Sequence, residues 1–338
     1  MSHSTPSSSA PNHNAAATAQ RRYFNHTPLG NAERLVYEHG ANIRYCPAWN
    51  SWLVWDGRRW SIDYNAAIHR KAHNTVRAIG REAQDTSDLK LAAAIESHAR
   101  RSETKYNLDA MIGSAQTLNG VSITPEELDK DPYLLNCQNG VINLRTGQIT
   151  QHAKSKHLML MKMASVSYVP GAQCPLFLQF LDEIFKGDAA MIEYVQKIIG
   201  YSLTGNVMEK ALFLFLGDGN NGKTTLLETI RHMLGDYAGV VDINALMQGS
   251  QDSARERAIA DLHGKRFVTA SESEASHRFA EATIKRLTGG IGSSGGSCGR
   301  MPLNLIQPTN CSSMLTTSPP SGVATMRYGT GFGSLHSG

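Results

Sequence analysis

One stretch of the chain, ALFLFLGDGNNGKTTLLETIRHML (211–234), restricts the possible folds more than any other. An apolar run leads into a glycine-rich loop, and the segment after the loop has apolar residues at helical spacing. These residues are Leu226, Leu227, Ile230 and Leu234. The loop fits the pattern G-x-x-x-x-G-K-S/T in the strand, loop and helix context that phosphate binding requires. The sequence therefore predicts an α/β P-loop NTPase fold.

The loop supplies the candidate nucleotide-binding residues. They are Gly217, Asp218, Gly219, Asn220, Asn221, Gly222, Lys223, Thr224 and Thr225. The glycines allow backbone N–H groups to converge on phosphate oxygens, and the N-terminus of the following helix adds its positive dipole end. We expect Lys223 to act catalytically by contacting the β- and γ-phosphates of ATP, and Thr224 to ligate Mg²⁺. ATP and Mg²⁺ are thus the predicted cofactors.

Acidic residues for hydrolysis are expected in the segment GKRFVTASESEASHRFAEATIKRLTGG (264–290). A short strand is predicted around 266–270, and Glu272 and Glu274 follow it. One carboxylate, with Glu272 as the candidate metal ligand, could hold Mg²⁺ through water while the other polarises the attacking water. Ser271 and Glu274 also have the spacing of a capping box for the next helix, and both roles can hold at once.

The rest of the chain is predicted to divide into several regions. Residues 1–22, rich in Ser, Ala, Asn and Pro, are expected to form a disordered tail. Residues 23–133 are predicted to form an accessory region that is mainly helical with a β-hairpin. Residues 134–205 are predicted to contain short strands and then two amphipathic helices, and residues 206–290 contain the P-loop. Residues 291–338 form a Gly/Ser-rich tail.

Local signals locate turns and helix starts within these regions. Asp56-Gly57 lies between apolar-aromatic runs and predicts a hairpin with a type I′ turn. Pro175 is expected to open the first amphipathic helix of the pair, and the segment 186–188 is expected to separate the two.

Three tryptophans, Trp52, Trp55 and Trp60, lie close to Arg58 and Arg59 and allow two interpretations. Aromatic and guanidinium groups together can stack on nucleic-acid bases. Tryptophans are, however, more often buried in a core, so packing is the favoured interpretation.

Composition excludes several classes of protein. No run of about eighteen apolar residues and no secretory signal occurs, which predicts a cytoplasmic protein without membrane contact. The five cysteines lie far apart without a C-x-x-C pair, so reduced thiols are expected rather than a disulfide framework or a zinc site. The net charge of +4 is small, and any nucleic-acid site must therefore be a local patch.

Several segments together resemble the superfamily 3 helicases, and more narrowly the helicase half of phage- and plasmid-type DNA primases. The motifs are GDGNNGKTT, RFVTASESE and IKRLTGG, with a Glu pair in place of the usual Asp-Glu. Upstream, NCQNGVINLRTGQITQH and CPLFLQFLDEIFKGD resemble the domain that precedes the helicase in this family, and the resemblance covers about 23–290.

The resemblance implies an AAA+-like core preceded by a mainly α accessory region with short β-hairpins. It implies a homo-oligomeric, usually hexameric ring that hydrolyses ATP and translocates on single-stranded DNA in a bacterial host, with replication proteins as candidate partners. Lys285 and Arg286 would lie in the DNA-facing motif. Lys285 can equally be a basic last-turn residue that stabilises the helix dipole.

The family pattern is lost after Gly290, where an aspartate and a strand ending in asparagine are expected. If one base is missing at Gly289-Gly290, the permitted codons of the following residues can read a segment with that aspartate, then KLFLNANHKP, then AIWDRVR. We therefore interpret 291–338 as an out-of-frame tail, which leaves the helicase domain incomplete. The alternative is a genuine Gly/Ser-rich tail.

Loss of the asparagine strand is expected to leave two central strands with unpaired backbone groups and to impair ATP hydrolysis. Three functions are compatible with these observations. The first is an ATP-driven DNA helicase, truncated by frame; the second is a nucleotide- or DNA-binding accessory fragment without motor activity. The third, a P-loop phosphotransferase, is least favoured because nothing in the chain suggests an acceptor site.

Overall fold

The structure is a computed structural model of the 338-residue chain. It describes residues 23–206, 208–209, 211–217, 221–248, 252–271, 280, 282–284, 287 and 323–328. The described residues belong to two compact units of a mixed α/β protein that is mainly helical. The first unit comprises the chain up to Ala41 together with Ala66–Val121, and the second comprises Asn42–Asn65 and the chain from Ser122 onward. The domain boundaries expected at 133 and 205 stay predictions.

The described part of the first unit contains four α-helices, in agreement with the mainly helical region predicted there. They are α1 (Pro28–His39), α2 (Ala67–Glu82), α3 (Leu89–Ser102) and α4 (Lys105–Ala115). Three of the helices begin at side-chain caps: Thr27 accepts from the N–H of Gly30, Asp88 accepts from two N–H groups of α3, and Thr104 caps α4. Such caps satisfy backbone donors that a helix start would otherwise leave open.

A buried polar network lies among these helices. The Asn31 amide donates to the Ser102 hydroxyl at 2.8 Å, and its oxygen lies 2.8 Å from Nε2 of His98. Arg34 is 3% exposed, and its Nε donates to the Glu82 carboxylate at 2.9 Å. The His98 ring also stacks on His26, with 4.8 Å between the ring centroids. Because every member is satisfied, the network favours one packing arrangement.

His98 makes the stability of this unit depend on pH. Burial, followed by the positive charges of His26, Arg34 and Arg101, lowers the pKa of His98 to about 4, against a smaller opposing effect of Glu82. Below pH ~6.5 the unfolded chain therefore takes up a proton that the folded chain does not accept until about pH 4. Stability attributable to this group is lost as the pH falls through that window.

We expect a His98→Gln variant, which keeps a polar side chain but does not titrate, to lose less free energy of unfolding between pH 7 and pH 5 than the parent chain. Urea denaturation at the two pH values measures the difference. All other titrating groups are shared, so identical pH dependences for the two chains would show that His98 is not the group responsible.

A three-stranded antiparallel sheet opens the second unit. Its strands are β1 (Ile43–Cys46), β2 (Ser51–Trp55) and β3 (Trp60–Ile62), in that order. The hairpin between β2 and β3 is confirmed, whereas the predicted type I′ turn is wrong. Asp56 pairs with Arg59, and only the first of the two residues between them, Gly57, has positive φ (+104°). A type I′ turn requires positive φ at both central residues, and Arg58 does not have it.

The tryptophans of this sheet pack into a core, as favoured from the sequence. Trp60 is fully buried and Trp52 is 9% exposed, while Trp55 lies partly buried against the same cluster. Nε1 of Trp60 donates to the carbonyl of Lys156 at 2.9 Å, so the indole is satisfied within the core. These rings therefore do not form an open base-stacking surface.

A second antiparallel sheet and three helices follow. They are β4 (Leu134–Cys137), β5 (Gly140–Asn143), β6 (Ile149–Thr150), α5 (His152–Ser155), α6 (Pro175–Ile184) and α7 (Ala189–Leu203). The predicted pair of amphipathic helices is confirmed in α6 and α7. Pro175 opens α6, and the Asp188 carboxylate caps α7 by accepting from the N–H of Met191. Within the described part of the chain, no helix has both the length and the apolarity to cross a bilayer.

The P-loop region contributes parallel strand pairs. Its elements are β7 (Leu212–Gly217), α8 (Lys223–Leu234), β8 (Ala238–Asp242), α9 (Asp252–Asp261), β9 (Phe267–Ser271) and β10 (Val323–Tyr328). β8 pairs with β9, and β10 pairs with β7 from Val323 opposite Leu212 to Tyr328 opposite Gly217. The expectation of unpaired backbone groups is therefore wrong for the edge of β7 that pairs with β10, and it stays a prediction for β9. The Val-Ala-Thr-Met run within the tail favours a strand, and a backbone ladder needs no particular side chains.

Candidate nucleotide-binding site

The strand and the helix predicted on either side of the glycine-rich segment are present. β7 ends at Gly217, and α8 begins at Lys223. The four residues predicted to share one face of α8 are all buried, in one core with Phe213 and Phe215 of β7. Those four residues are Leu226, Leu227, Ile230 and Leu234. Apolar packing of α8 on β7 thus fixes where the loop between them begins and ends.

Lys223 is the first residue of α8 and is only 4% exposed. Its Nζ donates to Oδ1 of Asn221 at 2.7 Å. A buried ammonium group is costly unless it is hydrogen-bonded, so this contact helps to hold the charge at the start of the helix. Asn221 therefore positions the lysine that is expected to meet the phosphates.

Gly222 adopts a backbone conformation that other residues adopt only with strain. Its φ is +82°, in the left-handed region, and it precedes α8 directly. A Cβ at this position would lie 2.6 Å from Cγ2 of Ile184 and 3.2 Å from the Phe180 ring. The glycine of the pattern is thus required both for the backbone turn and for close contact with α6.

The structure describes only part of the predicted site. Thr224 and Thr225 are exposed in the first turn of α8, next to the buried lysine. A free, exposed threonine hydroxyl is chemically suited to ligate Mg²⁺, which favours oxygen donors. Gly217 is described in its backbone alone, and the remaining predicted residues lie outside the described residues. Those outside are Asp218, Gly219, Asn220, Glu272, Glu274, Lys285 and Arg286.

A carboxylate that was not predicted as a site residue lies at the carboxyl end of β8. Asp242 ends β8 directly opposite Ser271, the last residue of β9. Its Oδ1 accepts from the N–H of Asn244 at 2.9 Å, so it caps the short helical turn that follows. The Asp-x-Asn spacing, typical of Asx turns, was the available signal.

Comparison with known proteins gives a match in the first part of the chain. Residues 32–186 match the family described as D5 N terminal like. The resemblance stated from the sequence is confirmed at this level. The P-loop at 217–224 lies beyond the matched segment.

A protein of Acanthamoeba polyphaga mimivirus named "Putative helicase" is 28% identical over 174 residues, which cover 48% of this chain and 17% of that protein. One solved apo structure of the NrS-1 C-terminal region aligns over 90% of this chain and 62% of that chain, at 10% identity and a TM-score of 0.45. A second apo structure gives 11% identity and a TM-score of 0.44. The chain spans less than two thirds of the length of each of these proteins.

We expect Gly222→Ala to lower the free energy of unfolding by about 1–3 kcal/mol, because alanine is strained at positive φ and its methyl group would collide with α6. Urea denaturation measures the change. Gly200→Ala in α7 is the matched control: no atom lies within 4 Å of its added Cβ, so a small stabilisation is expected there. Equal stability of the parent and Gly222→Ala chains would contradict the described loop geometry.

Proposed function

We propose that this chain binds ATP and Mg²⁺ at the P-loop as the ATPase part of a phage- or plasmid-type replicative helicase that acts on single-stranded DNA. The observation that carries the proposal is the buried ammonium group of Lys223, held by Asn221 at the beginning of a helix that follows a strand and a glycine-rich loop. Helix starts with such a lysine are suited to anionic phosphate groups.

Each residue of the site has a role in this proposal. The loop amides of 217–224 would surround the phosphates, and Lys223 would neutralise charge that develops on the transferred phosphoryl group. Thr224 and Glu272 would hold Mg²⁺, which screens the phosphate charges when it is bound. Glu274 would orient the attacking water and accept its proton.

The DNA-facing role belongs to Lys285 and Arg286 in this proposal, with several copies of the chain arranged as a ring around the strand. A ring, usually hexameric, would place each nucleotide at the interface of two subunits. Other replication proteins are the candidate partners. These features rest on the family resemblance, and residues 285 and 286 lie outside the described structure.

Lys223→Ala is expected to weaken binding of a non-hydrolysable ATP analogue in the presence of Mg²⁺ by about tenfold to a hundredfold. This is the loss expected for a charge-assisted hydrogen bond of about 1.5–3 kcal/mol. Isothermal titration calorimetry measures the affinity. Arg231→Ala on the same helix is the control, since Arg231 forms an exposed ion pair with Glu228. A parent chain that folds but has no Mg²⁺-dependent affinity for ATP would refute the proposal.

We also propose that residues 291–338 are translated out of frame. Sequencing the gene is expected to show that one restored base near the codons of Gly289 and Gly290 opens a frame containing KLFLNANHKP and AIWDRVR. The frame-corrected chain should hydrolyse ATP faster with single-stranded DNA than without it, whereas the chain as written should turn over poorly. Confirmed DNA encoding the tail, together with robust ATPase activity of the chain as written, would overturn this interpretation.

A second function, that of a nucleotide- or DNA-binding fragment without motor activity, also has an observation in its favour. The family match covers residues 32–186 and ends before the P-loop. ATP turnover that rises with single-stranded DNA and disappears in Lys223→Ala supports the motor. Binding without turnover in the frame-corrected chain supports the fragment.

A further inference from the structure

The outward face of α2 has an unusual distribution of charge. The inward residues, Ile68, Ala72, Thr75, Val76 and Ile79, are buried in the first unit. The outward residues are His69, Arg70, His73, Asn74, Arg77 and Arg81, all of them exposed. At about 100° of rotation per residue, these six residues occupy an arc of roughly 140°. We refer to His69, Arg70, His73, Arg77 and Arg81 as the basic face of α2.

No carboxylate lies on this arc. The one acidic residue in the sequence of α2 is Glu82, at its last position. Its two carboxylate oxygens accept from Nε and Nη2 of Arg34 on α1, at 2.9 and 3.1 Å. Glu82 thus forms its ion pair with Arg34 and does not neutralise the outward face of α2.

Basic residues on two other helices form ion pairs with acidic residues of the same helix. Lys105 pairs with Asp109 at 2.6 Å, and Lys197 pairs with Glu193 at 2.7 Å, in both cases at a spacing of four residues. Residues at that spacing share a helix face, so these pairs neutralise each other. Arg77 and Arg81 have no ion pair within the described part of the chain, and their four-residue spacing adds two like charges instead.

The arrangement fits an extended row of anions. Arg77 and Arg81 are separated by about 6 Å along the helix axis, and His73 lies about 6 Å before Arg77 on the same arc. Nucleic acid offers such a row, since one strand of a duplex carries a phosphate about every 3.4 Å of its axis. Guanidinium groups match phosphate oxygens with paired, parallel hydrogen bonds.

A lipid surface fits the same face less well. Helices that lie on membranes need Trp, Phe or Leu side chains directed toward the lipid. On α2 the outward arc contains no large apolar residue, and the large apolar residues of the helix are buried in the first unit. Electrostatic attraction alone would have to hold such a helix at the lipid surface.

We propose that the basic face of α2 binds the phosphate backbone of nucleic acid without reading base sequence. This surface is separate from the P-loop and from residues 285 and 286, and it requires no bound nucleotide. It would give the chain a nucleic-acid contact of its own in the first unit, independent of the proposed ATPase function.

The test is the affinity of the full chain for a fluorescein-labelled oligothymidylate of about 30 nucleotides, measured by fluorescence anisotropy without nucleotide at 50 to 200 mM NaCl. Combined Arg77→Glu and Arg81→Glu substitutions are expected to raise Kd by about tenfold or more. The slope of log affinity against log salt should also fall in magnitude by about 1.4, because two phosphate contacts are lost at about 0.7 each.

The matched control carries Lys90→Glu and Lys105→Glu, the same change of charge at exposed first-turn positions of α3 and α4. Glutamate in the first turn is favourable to the helix dipole, which at position 105 offsets the lost ion pair with Asp109. We expect the Kd of the control to change by about twofold or less, with circular dichroism confirming that both variants are folded. An unchanged Kd in the folded Arg77/Arg81 variant, or equal weakening in the control, would overturn the proposal.

Two further measurements separate this proposal from others. The DNA affinity should not depend on added ATP, and a chain that binds DNA through α2 but shows no affinity for ATP would refute only the proposed ATPase function. Phosphatidylserine vesicles are the second probe. If the Arg77/Arg81 variant loses vesicle binding while its DNA affinity is unchanged, the face binds acidic lipid and the proposal is wrong.

Discussion

The second unit depends on a buried guanidinium group, that of Arg266, which directly precedes β9. Its two terminal nitrogens donate to the carbonyls of Leu203 and Leu134 at 2.8 Å each, and its plane lies 4.4 Å from the ring of Tyr237. Burial lowers the pKa of Arg266, which is the sign of a charge removed from water. Removing the side chain would leave two carbonyls without these donors, a penalty that usually exceeds the net gain of forming such bonds.

Arg266 matters because of where its acceptors lie. Leu134 begins β4 in the segment that matches the D5 N-terminal-like family, while Leu203 ends α7 beyond it. The ring of Tyr237 extends the connection, because its hydroxyl accepts from the N–H of Asn136 at 3.1 Å. Apolar residues of β4, α6 and α7 share one core with those of β7 and α8. The part of the matched segment that belongs to the second unit is therefore packed in one core with β7 and α8.

The helices were largely predictable from the sequence because their signals are local. Pro175 and Asp188 mark the starts of α6 and α7, and the residues that pack α8 onto β7 follow a 3.6-residue period. The glycine-rich motif could be located in the same way, since its glycine and lysine are neighbours in sequence. Lys223 is buried and contacts Asn221, and its role in nucleotide binding stays a prediction.

Other features depend on residues that are distant in sequence. No residue near Arg266 in the sequence indicates that its guanidinium group donates a hydrogen bond to the carbonyl of Leu134, 132 positions earlier. No local pattern predicts the network around His98 either. The turn type at Gly57 was predicted wrongly for a different reason. The prediction placed Asp56 and Gly57 at the centre of the turn, whereas the strands pair one residue further along and place Gly57 and Arg58 there. The pairing of β10 with β7 was not predicted because the tail was interpreted from its side chains, whereas strands pair through their backbone groups.

The contact between Gly222 and α6 has a mechanical consequence. No side chain separates the backbone of Gly222 from Ile184 and Phe180. A displacement of this backbone therefore cannot be taken up by a change of side-chain conformation at Gly222. If a ligand draws the loop inward or pushes it outward by a few tenths of an ångström, α6 must shift or repack in response. Occupancy of the loop would then be sensed first by α6, which lies entirely within the segment that matches the D5 N-terminal-like family.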